Sequence, residues 1–271
     1  DERLRGVFPL TKMITSPSVS KVKHVMEKDP ISVHVDTPVE EVAQVIEKYD
    51  LVAVPVIDSI GRLMGQITVD DVMDEVREQS ERDYQLASGL SQDVETDDSV
   101  MRQTTARLPW LLIGMVGGIA SSMVLGCFDE IFVQHPEMAL FIPLIGGTAG
   151  NVGTQSSAIV VQGLANGSFA TENVTRQVVK ESAVAIINAT LISILVYAYN
   201  FFRYGAIEPV THLVPISLFG VIMFASIFGM LVPLTLEKLK IDPAIATGPF
   251  VTTMNDLIGM LIYMGITTSF S

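Results

Sequence analysis

The chain has 271 residues, of which 49% are hydrophobic, with a mean hydropathy of +0.44 and a formal net charge of -13 at pH 7. A single soluble domain rarely combines this hydropathy with this charge, and a lone cysteine, Cys127, excludes a framework of intrachain disulfides. Residues 1–106 hold 21 of the 30 acidic and 11 of the 17 basic residues, so we expect a soluble acidic part followed by a membrane part.

The first residues of the chain resemble a later stretch. "RLRGVFPLTKMI", from Arg3, and "RLMGQITVDDVM", from Arg62, share Arg, Leu and Gly in register. An internal repeat of this kind indicates a duplicated structural module. We therefore expect residues 1–21 to be the end of a first module, and the chain to be an N-terminally truncated fragment of a longer protein.

Residues 22–78 have the pattern of one complete module. "ISVHVD", "VAVPVID" and "LMGQITV" are rich in β-branched residues and predict three strands. "TPVEEVAQVIEKYD" predicts a helix that opens with a capping box of Thr37 and Glu40, and a second helix is expected to start at Asp70. We expect an α+β domain here, followed by a connecting, plug-like helical segment over residues 79–107.

Acidic residues crowd the start of that second helix. Like charges three or four residues apart on a helix repel one another unless something neutralises them, although a solvated acidic face gives the same pattern. The residues are Asp70, Asp71, Asp74, Glu75 and Glu78.

The last part of the chain, residues 108–271, contains five apolar stretches near or above the ~20 residues that cross a bilayer as a helix. We expect an α-helical domain of five transmembrane spans, over residues 108–127, 138–164, 182–202, 213–236 and 244–268. Basic residues are retained on the cytoplasmic side and concentrate here before the first span and in alternate loops. A multi-pass protein of the cell inner (plasma) membrane is predicted, with its N-terminus cytoplasmic and its C-terminus outside.

The second stretch contains "PLIGGTAGNVGTQSSA", residues 143–158, whose glycines and polar side chains predict a broken helix. Irregular backbone in a membrane is tolerated only beside protein or a water-filled cavity. Thr148, Asn151 and Gln155 fall on one helical face. This face fits either a pore lining or a seam between packed helices.

Asp256 is the only charged residue between Asp242 and the end of the chain. The predicted span places it ~18 Å from either end, where a charge is costly and indicates a functional site. No span contains a basic partner, and one carboxylate per subunit suits Mg²⁺, which keeps most of its water. A protonated carboxyl that joins helices is the alternative. Glu181 adjoins Lys180 and is predicted to be interfacial.

Two resemblances follow from these stretches. Residues 22–76 resemble a CBS domain, and "ARLPWLL", "PLIGGTAGNVGTQSSA", "KESAVAIINA" and "IDPAIATGPFVTTMNDLIGMLIY" resemble the membrane domain of MgtE-type magnesium channels. The family resemblance implies a homodimeric Mg²⁺ channel gated by cytoplasmic Mg²⁺. The implied pore residues are Asp256, Asn151, Gly147, Gly150, Gln155, Thr252 and Gly259, while Thr154 and Gly248 depart from the family's usual Asn.

The same resemblance assigns ligands to the soluble part. It implies a regulatory Mg²⁺ site formed by Asp50, Asp71, Asp74 and Asp83, with Glu40 as a weaker match. "TVDD", residues 68–71, is similar to the segment with which CBS domains hold adenosine and ribose. ATP is therefore a second expected ligand, at Thr68 and Asp71, and it would compete with the ion for Asp71.

The sequence also allows two other functions. A cation transporter coupled to H⁺ or Na⁺ would use Asp256 in the same position, and a non-transporting membrane sensor would use only the CBS module. An enzyme is not expected, because no histidine pairs with the cysteine and no nucleophile elbow or phosphate-binding loop is present. We expect the bilayer and a second copy of the chain as partners, and no nucleic acid.

Overall fold

The computed structural model describes residues 2–165, 174–246 and 248–270, which form two compact units that divide after Arg82. Residues 166–173, within the predicted transmembrane domain, lie outside the described residues.

The first unit contains a two-stranded and a three-stranded sheet. β1 (Gly6–Val7) pairs antiparallel with β2 (Glu27–Lys28), β3 (Val33–His34) pairs parallel with β4 (Ala53–Ile57), and β4 pairs antiparallel with β5 (Leu63–Thr68). The helices that begin in this unit are α1 (Leu10–Thr15), α2 (Val22–Val25), α3 (Val39–Tyr49) and α4 (Val69–Ala87), and α4 ends beyond Arg82. The predicted order of strands and helices is present, with a core of Val33, Val42, Ile46, Val54 and Val72.

The internal repeat has a structural counterpart. Arg3 and Arg62, the first residues of the two similar stretches, face each other in an isolated antiparallel bridge. The Leu4 amide donates to the Gly61 carbonyl at 2.9 Å, and the Leu63 amide donates to the Glu2 carbonyl at 3.2 Å. Equivalent positions of the two copies therefore meet, as expected of a duplicated module.

The predicted capping box is wrong. The Thr37 hydroxyl accepts a hydrogen bond from the His34 amide at 3.1 Å instead of capping α3. Pro38 occupies the N-cap position, and its carbonyl accepts from the amides of Glu41 and Val42. Thr37 therefore holds the turn that leads from β3 into the helix.

The second unit is helical. Its α-helices are α5 (Val100–Gly126), α6 (Asp129–Gln134), α7 (Ile142–Ala165), α8 (Val174–Tyr204), α9 (Pro209–Lys238) and α10 (Pro249–Phe270), and short 3₁₀ helices cover Pro136–Phe141 and Pro243–Ala246. Within the described residues, four helices are long and apolar enough to cross a membrane, namely α5, α8, α9 and α10. The 24 residues of α7 would also reach across, but glycines and amides make it less apolar, so its span stays a prediction.

The predicted break in the glycine-rich stretch is wrong, because α7 is one continuous helix from Ile142 to Ala165. It packs against α9 and α10, and α9 also packs against α8. A Cβ on Gly153 would overlap the Asn255 amide of α10, and a Cβ on Gly229 of α9 would overlap the backbone of α7 at Gly153. The glycines serve close helix packing, and this packing offsets their low helix propensity.

The connecting segment over residues 79–107 is only partly helical. α4 continues through the predicted boundary to Ala87, and a loop leads to the start of α5 at Val100. The Arg102 guanidinium, in the first turn of α5, binds the Asp98 carboxylate of this loop at 2.8 Å, and the Ser99 hydroxyl accepts from the Arg102 amide at the helix start. Ser99 is therefore the N-cap of α5, where its hydroxyl satisfies one of the unpaired amides of the first turn.

Candidate ion site between α7 and α10

Asp256 lies nearer one end of its helix than the sequence predicted. α10 begins at Pro249, so the carboxylate is ~10 Å from the N-terminal end and ~21 Å from the C-terminal end. Proline favours the first position of a helix because it lacks the amide hydrogen that would be unpaired there. Asp256 therefore lies nearer the Pro249 end of α10 than the middle of the helix.

Two glycines of α7 make room for the Asp256 carboxylate. A Cβ on Gly150 would lie 3.3 Å from Asp256 Oδ1 and 2.9 Å from the Thr252 methyl group. One turn earlier, a Cβ on Gly146 would lie 3.8 Å from the same oxygen. Any larger residue at position 150 would therefore push against the carboxylate and the threonine.

The Asp256 side chain is half-buried, and its Oδ1 atom is buried without a hydrogen-bond partner among the described residues. Hydroxyl groups lie one turn away: Thr154 Oγ1 and Thr252 Oγ1 are 3.2 Å apart and join α7 to α10. An unpaired buried carboxylate oxygen is costly unless a cation, water or proton satisfies it. The groove between α7 and α10, lined by Gly150, Thr154, Thr252 and Asp256, thus offers oxygen ligands of the type that hard cations prefer.

The predicted polar residues of α7 lie beside this carboxylate without contacting it. Gly147, Asn151 and Gln155 form an exposed stripe on the helix, and a Cβ on Gly147 would meet open space. In the described part of the chain, neither amide side chain forms a hydrogen bond with Asp256. Gly259 is instead a packing residue, because a Cβ there would lie 3.3 Å from Ala149 and 3.4 Å from Val221.

Asn255 was missed by the sequence analysis. Its side chain is fully buried against Gly153, and neither amide atom has a hydrogen-bond partner among the described residues. A buried amide without partners costs free energy. Its position next to Asp256 was visible in the sequence, but the fact that it faces α7 was not.

Glu181, predicted to be interfacial, is hydrogen-bonded to two neighbouring helices. Its carboxylate accepts hydrogen bonds from Ser156 and Ser226, both at 2.5 Å, and these hydroxyls lie 3.1 Å apart. The three residues belong to α8, α7 and α9, so one carboxylate joins three helices. The serines are 4% and 2% exposed, which keeps water away from these bonds.

Comparison with known proteins agrees with this architecture. A family model described as MgtE, divalent cation transporter, matches residues 142–266, and a CBS domain model matches residues 22–78. The magnesium transporter MgtE of Bacillus subtilis (strain 168) is 33% identical over 269 residues, covering 99% of this chain and 59% of the relative. The chain belongs to the MgtE family.

Two other MgtE proteins are similar. The Enterococcus faecalis and Thermus thermophilus magnesium transporters are 32% and 31% identical, covering 100% and 97% of this chain. This chain spans 59% of the length of each of these relatives. A solved cytosolic domain of an MgtE Mg²⁺ channel in complex with ATP is 40% identical over 27% of this chain and 30% of its own, with a TM-score of 0.27.

The regulatory residues expected from the MgtE resemblance form no cluster of three or more within the described residues. Glu40 and Asp50 lie at opposite ends of α3, ~15 Å apart along the helix. Asp71 and Asp74 are exposed on α4, and Asp83 follows at the start of the second unit. Within the described residues, no group of three or more His, Cys, Asp or Glu side chains could hold a metal ion.

Part of the acidic pattern on α4 is neutralised by the chain itself. Arg82 binds Glu75 and Glu78, each at 3.1 Å. Repulsion between these two glutamates is therefore reduced without a metal ion. Asp71 and Asp74 form no ion pair among the described residues.

Asp71 and Thr68, the expected nucleotide ligands, are bonded to each other. The Thr68 hydroxyl donates to Asp71 Oδ2 at 2.6 Å, the Thr68 amide donates to the same oxygen at 3.2 Å, and the Asp71 amide donates back to the hydroxyl at 3.3 Å. The hydroxyl and amide bonds hold the pKa of Asp71 below its ordinary value. These bonds cap the start of α4, and nucleotide binding at the pair stays a prediction.

Proposed function

We propose that two copies of the chain form a Mg²⁺-selective channel whose ions pass the groove between α7 and α10. The observation that carries the proposal is the buried Asp256 Oδ1 atom, which has no hydrogen-bond partner among the described residues and lies beside Gly150. Family membership supports Mg²⁺ as the ion, since the relatives are magnesium transporters.

Mg²⁺ suits a site with one carboxylate because it releases its water reluctantly. The ion usually keeps several waters and binds proteins through one or two carboxylates. The hydroxyls of Thr252 and Thr154 would contact those waters, although both are already bonded to each other. A Ca²⁺ site would need six to eight oxygen ligands, more than this groove offers in one subunit.

A homodimer would enclose the exposed polar stripe of α7. Asn151 and Gln155 have no hydrogen bonds to the described residues and would cost little to transfer from bulk water to a water-filled pore. Two copies of Asp256 would then face one hydrated ion. The orientation predicted from the basic loops places the Pro249 end of α10 on the cytoplasmic side.

Gating by cytoplasmic Mg²⁺ is the regulatory part of the proposal. An ion would bridge the regulatory carboxylates if those of two copies approach each other. These carboxylates belong to Asp50, Asp71, Asp74, Asp83 and Glu40. Ion binding would then favour one of two arrangements, and loss of the ion would separate the like charges. This mechanism fits the exposed carboxylates of Asp71 and Asp74.

Reconstituted liposomes test the proposal. The whole chain in liposomes loaded with a Mg²⁺ indicator should admit Mg²⁺ faster than protein-free liposomes. Discrete single-channel current steps are expected from a channel, whereas flux that depends on a H⁺ or Na⁺ gradient would indicate a coupled transporter. Liposomes that contain folded dimer but admit no Mg²⁺ would contradict transport and favour a membrane sensor.

A further inference from the structure

A cavity in the helical unit touches the first residue of α10, and no residue of α7 lines it. It has a volume of about 530 Å³ and lies between the loop after α4, the first half of α5 and the first residue of α10. The lining residues that matter are Gly89, Arg107, Trp110, Leu111, Gly114 and Pro249. Its size falls within the range of small-molecule sites.

Four lining residues form one face of α5. Arg107, Trp110, Leu111 and Gly114 follow at spacings of three, one and three residues, which places them on one side of the helix. Arg107 is exposed and forms no ion pair or hydrogen bond in the described part of the chain. The cavity thus carries one unpaired positive charge at one end and an aromatic and aliphatic wall beyond it.

Glycines give the cavity its shape. Gly89 has a φ of +82°, and a Cβ there would lie 2.7 Å from Pro249 Cγ. The loop after α4 therefore packs directly against the start of α10. A Cβ on Gly114, in contrast, would meet nothing within 4 Å. The cavity is therefore closed near the loop and open along α5.

The depth of these residues matches that of a lipid. Arg107 directly precedes the predicted hydrocarbon span at Leu108, and Gly114 lies ~10 Å further along the helix. Arg and Trp are typical of the membrane interface, and basic pockets between transmembrane helices bind anionic headgroups. We propose that this cavity binds an anionic phospholipid, with its phosphate on Arg107 and an acyl chain along Trp110, Leu111 and Gly114.

Charge favours an anionic over a zwitterionic lipid. Among the described residues, the guanidinium of Arg107 is the only charged group that lines the cavity. A choline headgroup brings its own cation close to the phosphate and would compete with the arginine, whereas a glycerol headgroup would not. Arginine also binds phosphate through two parallel hydrogen bonds.

Fluorescence quenching tests this site directly, because Trp110 is the only tryptophan of the chain. The whole chain is reconstituted in phosphatidylcholine vesicles with increasing fractions of brominated phosphatidylglycerol or brominated phosphatidylcholine. We expect half-maximal quenching at a several-fold lower fraction of the brominated phosphatidylglycerol. Arg107→Gln should remove this preference, and Arg107→Lys should retain most of it.

Two further variants distinguish a site from a general charge effect. Arg203→Gln removes an exposed charge elsewhere in the helical unit and should leave the preference unchanged. Gly114→Leu fills the open end of the cavity and should lower the quenching amplitude without changing the charge. Equal quenching by both lipids in the unmodified chain, or loss of the preference in Arg203→Gln, would overturn the proposal.

Inorganic phosphate distinguishes a lipid from a free anion. Millimolar phosphate should not change the quenching by brominated phosphatidylglycerol, because it lacks the acyl contacts with Trp110 and Leu111. If phosphate abolishes the preference, the cavity binds a free anion and the lipid proposal fails. The readout does not depend on Mg²⁺ transport, so either proposal can fail without the other.

Discussion

Glycine positions on α7 determine how closely the helices pack. A Cβ on Gly153 would overlap the Asn255 amide and would lie 2.9 Å from Val251 Cγ1. A Cβ on Gly147 would meet nothing within 4 Å. The same substitution at the two positions should therefore have opposite effects.

Gly153→Ala should destabilise the helical unit by about 1–3 kcal/mol, because the extra methyl group forces α7 and α10 apart. Gly147→Ala should be neutral or slightly stabilising, because alanine has the higher helix propensity. The melting temperatures of the two detergent-solubilised variants, compared with that of the unmodified chain, measure these changes in stability. Equal melting temperatures for the two variants would contradict the close approach at Gly153.

A second residue-scale prediction concerns the pKa of Asp71. Because hydrogen bonds from Thr68 lower this pKa, they stabilise the fold above the unfolded value of ~3.9, and the stabilisation is lost as pH falls through the folded pKa. Thr68→Val removes the hydroxyl bond, so the pKa of Asp71 should rise toward its ordinary value. NMR titration of aspartate carboxyl carbons measures the shift, with Asp71→Asn to assign the signal. An unchanged pKa of Asp71 in Thr68→Val would contradict the hydrogen bond from Thr68 to Asp71.

At the scale of elements, the Glu181 carboxylate joins α7, α8 and α9. Glu181→Ala should lower stability by about 1–3 kcal/mol, since two hydrogen bonds to a charged group are lost from a largely buried site. Glu181→Gln keeps an acceptor oxygen and should have a smaller effect. Thermal unfolding measures both, and Glu237→Ala, at an exposed position on α9, is the control. A Glu181→Ala variant as stable as the control would contradict this role.

Local patterns in the sequence predicted most elements. The β-branched stretches became β4 and β5, the acidic amphipathic stretch became α4, and hydropathy located α5, α8, α9 and α10. These signals are local, since strand and helix periodicity and apolar length act within one segment. Asp256 stood out for the same reason, as a charge inside an apolar run.

Contacts between distant segments were not predictable from such patterns. The hydroxyls that bind Glu181 come from Ser156 and Ser226, 25 and 45 residues away. The glycines of α7 suggested a break because propensity alone cannot show the neighbouring helix that they pack against. The start of α10 at Pro249 also differs from the predicted start at Ala244, because hydropathy does not locate the first helical turn.

At the scale of the whole molecule, gating should depend on Asp71 and Asp74. Replacing both with asparagine keeps an oxygen acceptor for Thr68 but removes two charges that an ion would bridge. We expect this double variant to admit Mg²⁺ into liposomes even when the Mg²⁺ concentration on the side of the soluble part is high enough to close the unmodified channel. The matched control is Glu75→Gln with Glu78→Gln, because Arg82 already neutralises that pair. Closure of the Asp71/Asp74 variant at the same Mg²⁺ level as the unmodified channel would contradict the sensor.

The role of Asp256 in conduction is the central claim, and Mg²⁺ influx into liposomes tests it most directly. Asp256→Ala should reduce the influx rate by about tenfold or more, since losing ~1.4 kcal/mol of ion stabilisation already gives a factor of ten. Asp129→Ala, which removes an exposed carboxylate from α6, should conduct as the unmodified chain does. Normal influx through a folded Asp256→Ala dimer would contradict the account.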